Sequence, residues 1–118
     1  MNQNIYTGLK EKKCKGQKSF AVLIDPDKVT TTSVDLLGTL SLEAKVDYFL
    51  VGGSLVISNQ RDEVVQQIKA SCDIPVILFP GNVTGVSPNA DAILFTSLLN
   101  SEDPYFISGA QALGALLV

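Results

Sequence analysis

Asp25 and Asp27 bracket Pro26 directly after five uninterrupted apolar residues, Phe20-Ala-Val-Leu-Ile24, and the largely apolar run Val46 to Val51 leads in a similar way into Gly52-Gly53-Ser54. Pro26 lacks a backbone donor and biases Asp25 toward extended geometry, so a strand stops there and the chain turns outward. A carboxylate held in that position suits a hard divalent cation, because Mg2+ takes one or two carboxylates, keeps several waters and leans on substrate phosphates. The competing reading is that Asp25 and Asp27 only close the turn through side-chain-to-backbone bonds. After the second run, two residues without side chains leave the backbone open to a phosphate, and the Ser54 hydroxyl can ligate metal or donate to phosphate. The competing reading there is a plain tight turn. Consecutive parallel strands bring their carboxyl ends side by side. Asp25 and Ser54 are therefore predicted to share one Mg2+, with Gly52, Gly53, Asp27 and Lys28 as substrate-binding candidates beside it.

Those residues need strands beneath them. Phe20 to Ile24 reads as a strand covered on both faces, since a half-exposed strand alternates whereas a doubly covered one runs apolar throughout. Residues 3 to 15 carry Ile5 and Leu9 four apart and stop at Gly16, which predicts a weakly amphipathic packing helix at the bottom or edge of the sheet. Thr30 to Ser33 offers N-cap hydroxyls for a helix over about 32 to 45, with Leu36, Leu37, Leu40 and Ala44 at helical spacing. Ser58 or Asn59 caps the next helix, whose Val64, Val65, Ile68 and Cys72 share one face while Arg61, Asp62, Glu63 and Lys69 face water.

Pro75 opens a third strand, Val76 to Phe79, ending in Pro80-Gly81-Asn82. The turn formers between Val83 and Asp91 predict only a short helical turn before a fourth strand, Ala92 to Phe95. A last helix is capped by Ser101 or Asp103, with Pro104 in its first turn and Phe106, Ile107, Ala110, Leu113, Gly114 and Leu117 inside. Four buried parallel strands alternating with helices define an α/β fold. They make half of a TIM-type (β/α)8 barrel, which needs about 250 residues to close. Residues 1–118 are read as the N-terminal half of one such barrel domain.

Composition narrows the function. The chain has 118 residues, 46% of them hydrophobic, enough for one core and too few for two ordinary domains. A net charge of -3 argues against a nucleic-acid partner, whose phosphates demand an excess of Lys and Arg. Lys10, Lys12, Lys13, Lys15 and Lys18 crowd the N-terminal segment and read as a solvated helix face. Cys14 and Cys72 lack CxxC spacing and no histidine is present, so zinc sites and Cys/His catalysis lose their parts and a reducing cytoplasm is expected. No stretch approaches the about 18 apolar residues of a membrane span, and no export segment is read, which leaves at most transient contact with a membrane surface.

Four motifs, in order, carry a resemblance: Leu23-Ile-Asp-Pro-Asp-Lys28, Asp47-Tyr-Phe-Leu-Val-Gly-Gly-Ser54, Pro75-Val-Ile-Leu-Phe-Pro-Gly-Asn82, and Phe95-Thr-Ser-Leu-Leu-Asn-Ser101 with the following Ile107-Ser-Gly-Ala-Gln111. Together they resemble the first half of the geranylgeranylglyceryl phosphate synthase family, which also includes the bacterial heptaprenylglyceryl phosphate synthases. The resemblance implies a TIM barrel that transfers a prenyl group from a prenyl diphosphate to the C3 hydroxyl of sn-glycerol 1-phosphate with Mg2+. It places the family's metal-binding Asp on Asp25 and its Ser or Thr after the double glycine on Ser54. Leu23 stands where some members carry a lysine that binds glycerol phosphate. The family's glycerol phosphate cradle and its catalytic Tyr and Glu belong to the second half of the barrel, so residues 1–118 alone are expected to be inactive and to form a homo-oligomer. Two other readings stay open: a different phosphate-binding barrel, such as an isomerase, and a non-catalytic half-barrel that serves as an assembly or binding module.

Overall fold

The computed structural model describes residues 4–53, 60–81, 86–97 and 99–117. Its sheet holds β1 (Ala21–Ile24), β2 (Tyr48–Gly52), β3 (Val76–Phe79) and β4 (Ala92–Ile93), all parallel and adjacent in chain order. Helix α1 (Ile5–Cys14) precedes the sheet, α2 (Thr31–Glu43) joins β1 to β2, and α3 (Arg61–Ser71) joins β2 to β3. Between β3 and β4 the described residues form turns without a helix. After β4, a π-wound turn (Tyr105–Gly109) runs into α4 (Ala110–Gly114) and a 3₁₀ turn (Ala115–Leu117). The architecture is four consecutive strands of a (β/α)8 barrel.

Strand alternation sorts the sheet into two faces. Ile24, Val51, Leu78 and Ile93 lie in one register row, as do Val22, Phe49 and Val76. These two rows pack against Val34 of α2 and Val64, Val65 and Ile68 of α3 to form the core. The opposite face carries the row Leu23, Leu50, Ile77 and Ala92, apolar throughout. Both faces of β2 and β3 are therefore apolar, as expected for central strands. The expectation fails for β1, which is an edge of this sheet: Leu23 is 55% exposed and Phe20 57%. The fourth strand is also shorter than its apolar run, pairing only at Ala92 and Ile93 before Leu94 donates one more bond to the Leu78 carbonyl, while Phe95 is exposed.

Two helices present different faces from those their apolar spacing suggests. In α2 the buried positions are Val34, Gly38 and Ser41, and Leu37 packs against the core as expected, while Leu36 and Leu40 are exposed. The small side of the helix lets it approach α3 closely, Gly38 lying against Ser71 and Cys72, and at 100° per residue Leu36 and Leu40 then point away. In the terminal segment Phe106, Ile107 and Leu113 are exposed rather than inside, and Gly114 is the buried position. The cap there is as expected: Ser101 Oγ accepts from Asp103 N at 3.0 Å and Asp103 Oδ1 from Tyr105 N at 2.9 Å. Thr30 and Ser33 form a capping box on α2. Ser58 and Asn59 lie outside the described residues, and the N-cap position of α3 is Gln60, whose side chain makes no cap.

α1 and α2 end in the same motif. Gln17 N bonds to the Lys12 carbonyl and Gly16 N to Lys13, while Val46 N bonds to Ser41 and Lys45 N to Leu42. The left-handed residue is Gly16 in the first case and Lys45, at φ 54°, in the second. A third positive φ, 147°, occurs at Gly52, where a Cβ would lie 1.9 Å from the Phe79 carbonyl oxygen. Only glycine permits that approach of β2 to β3. Urea unfolding should show Lys45→Gly stabilising the chain by about 0.5–1 kcal/mol and Gly52→Ala destabilising it by about 3 kcal/mol or more. An unchanged midpoint for Gly52→Ala would contradict the close approach.

Candidate active site at the carboxyl ends of the strands

The site begins at the opposite end of the sheet, where register is set. Asp47, just before β2, accepts the Lys12 ammonium and the Phe20 N–H at 2.8 Å, and its own N–H donates to the Phe20 carbonyl at 2.8 Å. Lys12, its side chain 30% exposed, also lies 5.2 Å from the centre of the Tyr48 ring. Lys12 is thus the exception in the lysine cluster, committed to packing. The Lys12 hydrogen bond, then the Phe20 N–H, holds the Asp47 carboxyl below its usual value, and the same hydrogen bond raises Lys12. With Ala21 fixed opposite Tyr48, Ile24 falls opposite Val51. Asp25 therefore leaves β1 beside Gly52 and Gly53.

Asp25 is held from several directions. Its Oδ1 accepts from Asp27 N at 3.1 Å, its carbonyl accepts from Lys28 N at 3.0 Å, and its Oδ2 lies 3.3 Å from Lys28 Nζ. Pro26 is fully buried beneath the turn. The expected Asx closure is present, and it is compatible with a ligand: the Asp25 side chain is still 28% exposed, while that of Lys28 is 81% exposed and free to swing away. Gly53 is half-buried, whereas the space beside Gly52 is filled by the Phe79 carbonyl. Ser54 lies outside the described residues, as does Asn82. Leu23 points to the open inner face in the row with Leu50 and Ile77, and a leucine offers a phosphate nothing there.

Among the described residues, no three Cys, Asp or Glu side chains are grouped to hold a metal by themselves. One oriented carboxylate beside a glycine-rich exit fits Mg2+, which completes its shell with water and phosphate, and does not fit a metal that needs an all-protein cage.

Sequence reasoning placed Arg61 in water, but it is only 5% exposed at the first position of α3. Burial lowers its guanidinium pKa and the Asp27 carboxylate opposes that. The spacing of Arg61 from Val64, Val65 and Ile68 puts it on the buried stripe, which is the signal that could have found it. Asp62 is likewise engaged: it accepts from Ser87 Oγ, Asn89 Nδ2 at 2.9 Å and Gln66 Nε2 at 2.8 Å. Lys69 reaches both Asp91 oxygens at 2.7 Å. These contacts tie residues 87–91 to α3.

Next to Gly53 a cavity of about 370 Å³ opens between the ends of β3 and β4 and the terminal helix. Phe79, Ile93, Leu94, Phe95 and Phe106 line it. Gln111 holds the helix across it by donating to the Thr96 carbonyl.

The Ser87 and Asn89 bonds hold the Asp62 carboxyl below its usual value. A depressed carboxyl contributes stability above its unfolded pKa, near 4, and loses it as pH falls through the lower folded value. Asp62→Asn should therefore lower the urea midpoint at pH 6, with the gap to the parent chain narrowing by pH 3. A gap that stays constant would show that the carboxylate charge contributes nothing.

The PcrB family profile matches residues 11–118. The geranylgeranylglyceryl phosphate synthase of Chitinophaga pinensis is 50% identical over 115 residues, covering 98% of this chain and 46% of that protein. The synthase of Thermococcus kodakarensis is 50% identical over 107 residues, 90% of this chain and 42% of that one. Among solved structures, the (S)-3-O-geranylgeranylglyceryl phosphate synthase of Thermoplasma acidophilum in complex with its substrate sn-glycerol-1-phosphate superposes with a TM-score of 0.84 at 34% identity, over 99% of this chain and 47% of that one. The chain spans a little under half the length of these relatives.

Proposed function

The chain belongs to the PcrB family, and from that premise we propose that it supplies the metal- and diphosphate-binding half of a Mg2+-dependent prenyltransferase barrel. The reaction moves a prenyl group from a prenyl diphosphate, geranylgeranyl or similar, to the C3 hydroxyl of sn-glycerol 1-phosphate. The observation that carries this reading is the adjacency of three features: the Asp25 carboxylate, the Gly52-Gly53 exit beside it, and an apolar cavity that starts at Gly53.

In the transfer, the glycerol phosphate C3 oxygen forms a bond to prenyl C1 as the bond from C1 to the diphosphate oxygen breaks. The hydroxyl proton passes to a base that the family resemblance places in the second half of the barrel. Asp25 and Ser54 would hold Mg2+, which when bound would neutralise charge on the departing diphosphate. Lys28, close to Asp25 and largely exposed, adds positive charge at the same exit. The aromatic walls at Phe79 and Phe95 take the prenyl chain out of water, which stabilises binding by about 25 cal/mol per Å² of apolar surface and keeps water from the reacting carbon. Leu98, which follows Phe95 in the same motif, lies outside the described residues.

A barrel completed by joining residues 1–118 to the C-terminal half of the Chitinophaga pinensis relative tests the reading. Asp25→Asn and Ser54→Ala should each weaken Mg2+-dependent binding of a prenyl diphosphate by about tenfold or more. Unchanged affinity in both rejects the metal assignment. In the same barrel, Phe95→Trp should shorten the prenyl chain preferred, and identical selectivity would move the groove elsewhere.

Residues 1–118 by themselves offer the apolar edge at Phe20 and Leu23 and the exposed Leu94 and Phe95 at the other side of the sheet. Light scattering should find them associated, as a homo-oligomer or larger, and an assay with glycerol 1-phosphate should give no product. A soluble monomer or measurable turnover would overturn the half-barrel reading.

A further inference from the structure

The arrangement that Asp47 makes ahead of β2 recurs ahead of β4. Asp91 immediately precedes β4; its Oδ2 accepts from Val76 N at 2.8 Å, and its own N–H donates to the Val76 carbonyl at 2.9 Å. Lys69 Nζ holds both carboxylate oxygens at 2.7 Å. In each case the lysine stands in the last turn of the helix before the odd-numbered strand, Lys12 in α1 and Lys69 in α3. Between β2 and β3 the place is taken by Pro75, which offers its carbonyl to Phe49 N and has no side-chain acceptor. The clamp matters more at β4 than at β2, because the ladder it starts is Ala92 and Ile93 alone, before Leu94 N closes on the Leu78 carbonyl. Individual backbone bonds contribute little net stability, so a ladder this short resists a slip weakly. Slipped by two residues, it would keep its faces and move its side chains about 6.6 Å along the strand, the scale of a single isoprene unit.

The residues that this short strand carries to its exit are the ones that wall the apolar cavity: Ile93, Leu94, Phe95 and Thr96 line it, whereas Lys69 and Asp91, at the other end of the strand, do not. We propose that Asp91, held by Lys69, is a positioning residue for the prenyl groove: by fixing the register of β4 it fixes the depth at which Leu94 and Phe95 stand, and so the prenyl length that the groove accepts, without touching substrate. The inference rests on the reading of that cavity as the prenyl groove. An exposed ion pair alone contributes little. Here the two side chains are 38% and 28% exposed, and the carboxylate also satisfies the first N–H of β3. The Lys69 ammonium keeps that carboxylate aimed at Val76 rather than at solvent.

The test measures kcat and KM of the completed barrel with prenyl diphosphates of increasing length, from geranyl to geranylgeranyl, together with hydrogen exchange of single amides by NMR. Asp91→Ala should act through KM and change the ratio of kcat/KM between geranyl and geranylgeranyl diphosphate about tenfold, with the Mg2+ concentration for half-maximal rate unchanged. It should also reduce the exchange protection of Leu94 N–H, an amide that Asp91 does not contact. Asp91→Asn, which keeps an oxygen for Val76 N, should recover most of the parent selectivity. Lys69→Met should shift selectivity about threefold, and it carries the test if a thermal melt shows Asp91→Ala unfolded. Three outcomes overturn the inference: Leu94 protection unchanged in the folded variants, kcat/KM falling by the same factor for every prenyl length, or Asp91→Asn no closer to the parent than Asp91→Ala. Phe95→Trp, measured in parallel, separates the two readings. If it shifts selectivity while the clamp variants do not, the inference falls and the groove stands; if neither shifts it, the groove reading falls as well.

Discussion

The contact on which the rest of the sheet depends is the one Asp47 makes at its bottom edge. Its carboxylate bridges the Lys12 ammonium and the Phe20 N–H, and its own N–H returns to the Phe20 carbonyl. With β1 only four residues long, there is no further length over which a slipped register could be corrected. A shift of one residue would exchange the faces, sending Ile24 and Val22 out of the core and Leu23 into it. It would also move Asp25 away from Gly52. The chemistry at the carboxyl ends is thus decided at the amino ends, by an ion pair that covers its own donors and lies beneath the Tyr48 ring.

Helix α3 plays the corresponding part at the outer layer. Its apolar side fills the core with Val64, Val65 and Ile68, and its polar side is a set of ties. Asp62 takes Ser87 and Asn89, and Lys69 takes Asp91. Gln67 donates to the Thr31 carbonyl at 2.7 Å, and Ser71 donates to Asp35 at 2.8 Å. The described residues 86–91 form turns without a helix, and their side chains are tied to α3. Exposed ion pairs contribute little individually, but here each fixes a loop rather than a helix face, and loop position is what a shared ligand site needs.

The central strands were legible in the sequence because burial on both faces leaves an unbroken apolar run, and Val76 to Phe79 begins and ends where Pro75 and Pro80 dictate. Gly16 was legible as a helix stop for the same local reason. Lys45 was not, since nothing in a lysine announces a left-handed backbone. The inner side of α2 was misread because leucines outnumber the small residues that do the packing: Gly38 and Ser41 permit a close approach that Leu36 and Leu40 would block. Burial of Arg61 was hidden by its charge although its spacing pointed inward. The exposure of β1 depends on strand order, which local pattern does not contain. At the candidate site, the sequence named Asp25 and the double glycine, and geometry added their adjacency. The reason for Gly52 proved to be a neighbouring carbonyl, which leaves no space there for a side chain.

Pairing in strict chain order has a consequence for how such a molecule comes into being. Ala21 finds Tyr48, Phe49 finds Val76 and Ile77 finds Ala92, so each strand meets the next within about 30 residues of chain. A nascent chain leaving the ribosome can add one strand and one helix at a time, each docking on the last. The row Leu23, Leu50, Ile77 and Ala92 then grows as a sticky inner wall while translation continues, and the time spent in that state is the interval in which a chaperone would find the most to hold.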